Sequence, residues 1–95
     1  MTAYVSGSTV RMYGVFSVTG VLTDPSVVTG KVKPPGATTL NFPYGSSAQL
    51  VRDGTGLYHL DMVVTATGLW RYRWEGSGSA SIAGEGTFDV SNTVF

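Results

Sequence analysis

At 95 residues, 42% of them hydrophobic and 12% aromatic, the chain can fill one hydrophobic interior, which excludes disorder in spite of thirteen glycines and leaves no room for a second core. Charged residues make up only 13%, about half of the roughly 25% of an average domain, and six basic residues balance six acidic ones. There is no basic stripe for nucleic acid, since Arg71 and Arg73 are the only close arginines and Glu75 follows them directly, while zero net charge gives little protection against association.

Apolar and polar residues alternate with a period of two between clusters of Gly, Pro, Asp and Ser, and no stretch shows the 3.6-residue period of a helix. Residues 10–18 predict a first strand with Val10, Met12, Gly14, Phe16 and Val18 on its inner face and Arg11, Tyr13, Val15 and Ser17 on the other. Residues 19–25 read as a loop because Thr-Gly and Asp-Pro are turn dipeptides. Residues 26–33 predict a second strand, stopped by Pro34-Pro35-Gly36, and residues 38–44 a third, which Pro43 assigns to a sheet edge. A short strand over 49–52 follows the turn at 45–48. The strand expected over 57–64 places Tyr58, Leu60, Met62 and Val64 on one face and Leu57, His59, Asp61 and Val63 on the other. Residues 69–75 then place Trp70, Tyr72 and Trp74 inward and Leu69, Arg71, Arg73 and Glu75 outward, and residues 81–90 close the set with Phe88 and Val90 inward. Seven such strands, with turns about every 8–12 residues, predict an all-β fold: an immunoglobulin-like antiparallel β-sandwich of about seven strands. It spans 1–95 as a single domain, with short flexible or docking tails at 1–8 and 91–95.

Without cysteine there is neither a disulfide nor a thiolate metal centre. Residues 1–7 lack the charged and apolar regions of an export signal, and no apolar run approaches the roughly 18 residues of a membrane helix, so a protein made and kept in the cytoplasm, or released by lysis, is expected. Asp53-Gly54-Thr55-Gly56-Leu57-Tyr58 reads as a tight turn capped by the Asp53 side chain and leading into a strand. A calcium loop would need several oxygen ligands together, whereas Asp24, Asp53, Asp61 and Asp89 are scattered singly, and no metal or other cofactor is expected. Tyr58 fits a tyrosine corner, its ring buried and its hydroxyl bonded to nearby backbone.

Residues 68–74 mix aromatic and basic side chains, as a surface for stacking bases or sugars would, but the aromatics share one parity and the arginines the other, so one face is core and the other solvated. Gly76-Ser77-Gly78-Ser79 precedes neither a Lys-Ser nor a Lys-Thr pair and reads as a hairpin loop. His59, the sole histidine, lies on the outward parity beside Asp61 and is expected at the surface or an interface. A nucleophile elbow and a pair of facing carboxylates are both missing, so no catalytic residues and no enzyme activity are expected.

The strand at 10–18, Val21-Leu22-Thr23-Asp24-Pro25 with Val27-Val28, Lys33-Pro34-Pro35-Gly36, the 53–58 turn, residues 68–78 and Glu85-Gly86-Thr87-Phe88-Asp89-Val90 together cover nearly the whole chain. In these positions the sequence resembles small Ig-like proteins of tailed bacteriophages encoded among head and head–tail genes. The resemblance implies a virion structural protein, made in the host cytoplasm and free-standing, with a capsid decoration subunit bound to the assembled shell as the first reading. Its partners would be the major capsid protein or other virion proteins, with repeated copies or a homo-oligomer in the particle and neither nucleic acid nor membrane. A head–tail junction or tail-associated Ig-like protein is the alternative, as is a carbohydrate- or cell-surface-binding adhesion module, which would need exposed aromatics. The candidate interface consists of Tyr4 and Val5 before the first strand, Val94 and Phe95 after the last, and Tyr13, Val15, His59 and Val63, which share an outer sheet face.

Overall fold

The computed structural model describes residues 3–78 and 82–92, and the protein is all-β. Its strands are β1 (Ala3–Val5), β2 (Thr9–Val15), β3 (Ser17–Val18), β4 (Val21–Leu22), β5 (Val27–Lys33), β6 (Leu40–Pro43), β7 (Leu50–Gly54), β8 (Leu57–Val63), β9 (Gly68–Ser77) and β10 (Ile82–Ser91). A five-stranded sheet runs in the order β1-β10-β9-β5-β6, a three-stranded sheet in the order β2-β8-β7, and β3 and β4 form a separate ribbon. Neighbours are antiparallel except β1, which runs parallel to β10.

The alternation of the sequence dictates which faces are buried. In β2 every second residue, Val10, Met12 and Gly14, is buried, and those between are exposed. Val28 and Val32 of β5, Trp70 and Trp74 of β9, and Phe88 and Val90 of β10 meet Val10, Met12, Leu50, Tyr58 and Leu60 of the three-stranded sheet in one core, closed by Phe16 and Val64. Each large side chain removed from water contributes about 1.5–3 kcal/mol. Trp70 stacks on Phe88 at a ring separation of 5.8 Å and donates its indole N–H to the Ala66 carbonyl at 2.8 Å. The Trp74 ring lies against Gly14, where an added Cβ would stand 2.5 Å from the indole, so the two sheets can approach here only because residue 14 has no side chain. Tyr72 sits at the rim rather than deep inside: half-buried, it packs its ring over Gly86 and against Phe88.

Two elements depart from the expectations. The predicted strand 10–18 ends early, because the Phe16 N–H donates to the Gly56 carbonyl and the chain then leaves the sheet. Residues 17–22, expected in part as loop, fold back on themselves as the β3–β4 hairpin, whose two-residue turn has Thr19 at φ 49° and Gly20 at φ 81°. Both positive values are what a type I′ turn requires, and the excursion leaves Val18 exposed instead of in the core. At the other end, residues 3–8, part of the segment 1–8 expected as a flexible or docking tail, are hydrogen-bonded into the fold. β1 pairs with residues 89–91, Ser6 N donates to Ser91 O at 2.9 Å, and Gly7 N donates to Val64 O at 2.7 Å. Pro43 does mark an edge strand, β6.

Candidate functional site

The outer face of the three-stranded sheet is built by register. Pairing of β2 with β8 sets Thr9 opposite Val63, Arg11 opposite Asp61, Tyr13 opposite His59 and Val15 opposite Leu57, and pairing of β7 with β8 sets Val51 on the other side of His59. All of these side chains share the parity that points away from the core. Tyr13, Val15 and Val63 are respectively 66%, 61% and 56% exposed, and Leu57 and Val51 are exposed beside them.

The charges on this face are paired off. Arg11 grips Asp61 through Nε at 2.8 Å and Nη2 at 2.9 Å, and that guanidinium holds the Asp61 carboxyl below the usual carboxylate range. His59 Nδ1 stands 2.7 Å from Asp53 Oδ2, and its Nε2 is 3.9 Å from Asp61 Oδ2. The face therefore presents exposed apolar side chains beside the Arg11–Asp61 ion pair and the hydrogen-bonded His59–Asp53 pair.

His59, expected at the surface or an interface, is 8% exposed. Its outward parity is as read; burial comes from its place on the middle strand, flanked by Tyr13 and Val51 and contacted by the Asp53 carboxylate. The turn chemistry also differs. Asp53, expected to cap its own turn, is engaged by His59, and the cap is supplied by Asp24, whose Oδ1 accepts from Gly56 N at 2.8 Å. Asp24 Oδ1 also accepts from the Tyr58 hydroxyl at 3.2 Å, where a bond to nearby backbone was expected, and its Oδ2 accepts from Arg52 Nη2 at 2.8 Å. Arg52 first, then the Gly56 amide, draw the Asp24 pKa down from 3.8 to about 2. Gly56, at φ 71°, is packed so closely that a Cβ would strike the Phe16 carbonyl.

The structure thus brings Tyr13, Val15, His59 and Val63 onto one face. Tyr4 and Val5 lie elsewhere, on β1 at the edge of the five-stranded sheet, with Val5 exposed and Tyr4 half-buried, its ring edge-on to Phe88 at 5.5 Å. Val94 and Phe95 lie outside the described residues. Val51 joins this face without having been expected there, and the exposed Val18, Val21 and Leu22 of the hairpin, which leaves the sheet beyond Val15, were likewise not among the candidates. The signal for the hairpin was present in Thr19-Gly20 flanked by apolar residues on both sides.

Trp70 and Trp74 are buried, so the 68–74 segment offers no tryptophan platform at the surface. Among the described residues, no group of three or more His, Cys, Asp or Glu side chains is placed to hold a metal ion, and no helix is long and apolar enough to cross a membrane. No protein-family model matches the chain, and no curated protein matches it.

Proposed function

We propose that the chain is an immunoglobulin-like sandwich serving as a repeated structural subunit of a tailed-phage virion, a capsid decoration protein that docks on the shell through the outer face of β2, β8 and β7. The observation that carries the docking is the row of exposed Tyr13, Val15, Leu57 and Val63 beside polar groups that are paired with one another, Arg11 with Asp61 and His59 with Asp53. The sandwich reading is supported by the order β1-β10-β9-β5-β6 over β2-β8-β7: immunoglobulin domains set two antiparallel sheets face to face in this way, and the parallel β1–β10 pair is an edge addition. The phage reading draws on the motifs at 53–58 and 68–78 and on a surface of low charge suited to life within an assembly.

A docking patch of this size holds through repetition. Neighbouring copies raise the local concentration of each binding event, so modest single contacts accumulate into firm occupancy. Tyrosine at the centre of such a patch is the side chain whose truncation costs most. The test is add-back of purified protein to phage particles that lack it, followed by sedimentation. Saturable binding of the parent, lost in Tyr13→Asp, is expected. No co-sedimentation of the parent, or equal occupancy by the variant, contradicts the proposal.

A further inference from the structure

The opposite sheet gathers four of the chain's six cations on one face, although they come from two strands far apart in sequence. Lys31 and Lys33 alternate on β5, Arg71 and Arg73 alternate on β9, and the register sets Lys31 opposite Arg73 and Lys33 opposite Arg71. The first pair is neutralised: Arg73 Nε lies 2.6 Å from Glu75 and its Nη1 2.9 Å from Glu85, and Lys31 Nζ lies 3.0 Å from Glu75. The second pair is not. Among the described residues neither Lys33 nor Arg71 has a carboxylate within ion-pair distance, and Asp89, the remaining acid of β10, stands opposite Leu69 and bridges to neither.

Like charges directly opposite on neighbouring strands destabilise a sheet, and an anion placed between these two would remove that cost. They line an open depression of about 470 Å³ together with Thr39 and Thr87. A single water-sized group occupies only about 30 Å³, so the space admits several side chains rather than one small ion.

We propose that this depression binds an acidic peptide segment of a partner protein, with Arg71 taking a carboxylate in its fork, Lys33 pairing with a second, and the threonine hydroxyls donating to either. A continuous polyphosphate strand suits it less, because among the described residues only two of the four cations are left without a carboxylate partner, too few to neutralise a run of phosphates. The site lies on the sheet opposite the docking face and does not depend on the phage reading.

The test is an amide chemical-shift titration of the full chain with hexaglutamate, run in parallel with inorganic phosphate at low ionic strength. Shifts confined to residues 31–33, 71–73 and 85–87 are expected, with affinity falling about tenfold or more in Lys33→Gln/Arg71→Gln, as loss of charged hydrogen bonds implies, and unchanged in Tyr13→Asp. Both substituted side chains are exposed, and a dispersed spectrum confirms that the variant is folded; single Lys33→Gln carries the same test should the pair fail to fold. Shifts centred elsewhere, equal affinity of the folded variant, or phosphate binding as tightly as the peptide overturns the proposal.

Discussion

Asp24, distant in sequence, accepts from three donors of the β7–β8 hairpin: the Arg52 guanidinium, the Gly56 amide and the Tyr58 hydroxyl. Its carboxyl titrates lower in the folded protein, at about 2, than its ordinary 3.8. A depressed folded value means that the ionised form is favoured by folding, so the contribution is complete above the unfolded pKa and is lost as pH falls from there through about 2. Thermal melts between pH 2 and pH 6 are therefore expected to show parent and Asp24→Asn converging as the pH drops, with the parent more stable at the upper end; parallel curves would contradict this role. Trp70 tests the core at the same scale. Nearly fully buried, stacked on Phe88 and bonded to Ala66, it is expected to cost about 3–5 kcal/mol on replacement by alanine, a large part of the roughly 5–15 kcal/mol of a whole domain. Urea unfolding reads the difference, and a loss under about 1 kcal/mol would place the indole outside the core.

The β3–β4 hairpin is the element under visible strain. Thr19 is β-branched yet sits at φ 49°, a region that such residues avoid. Asparagine tolerates this conformation and is favoured before glycine in type I′ turns. Thr19→Asn is thus expected to stabilise the protein by about 1 kcal/mol, seen as a rise of several degrees in Tm, and an unchanged or lower Tm would contradict a strained turn. The end of β2, just before the hairpin, shows where the sequence stops being legible. β2, β5, β8 and β9 could be read because a period of two reports which face is buried, and the same parity placed Tyr13, Val15 and Val63 on one outer face. Val18 keeps the parity of Val10, so nothing local marks the break after Val15; it is made by the distant Gly56 carbonyl. Three-residue β1 is too short to alternate and is held by backbone bonds to β10. His59 is buried by its neighbours on adjacent strands, and the Lys33–Arg71 pair exists only once β5 and β9 are in register. All four follow from tertiary pairing, which a single sequence does not print.

At the scale of the molecule, the two sheets turn unlike surfaces outward. The three-stranded sheet offers apolar side chains among paired polar groups, and the five-stranded sheet offers an ionic lattice in which, among the described residues, Lys33 and Arg71 have no carboxylate partner. A subunit with an apolar face on one side and a charged face on the other can be seated by the first while the second stays open to another partner, and its zero formal charge puts no long-range repulsion between copies. We propose the β2-β8-β7 face as the seat. A cryo-EM reconstruction of virions carrying the protein tests it most directly. The account predicts copies at regular positions on the shell, with Tyr13, Val15, Leu57 and Val63 within contact distance of the capsid protein and the face of β5, β9 and β10 turned away from it. Copies seated by any other face, or particles without density for this chain, would contradict it.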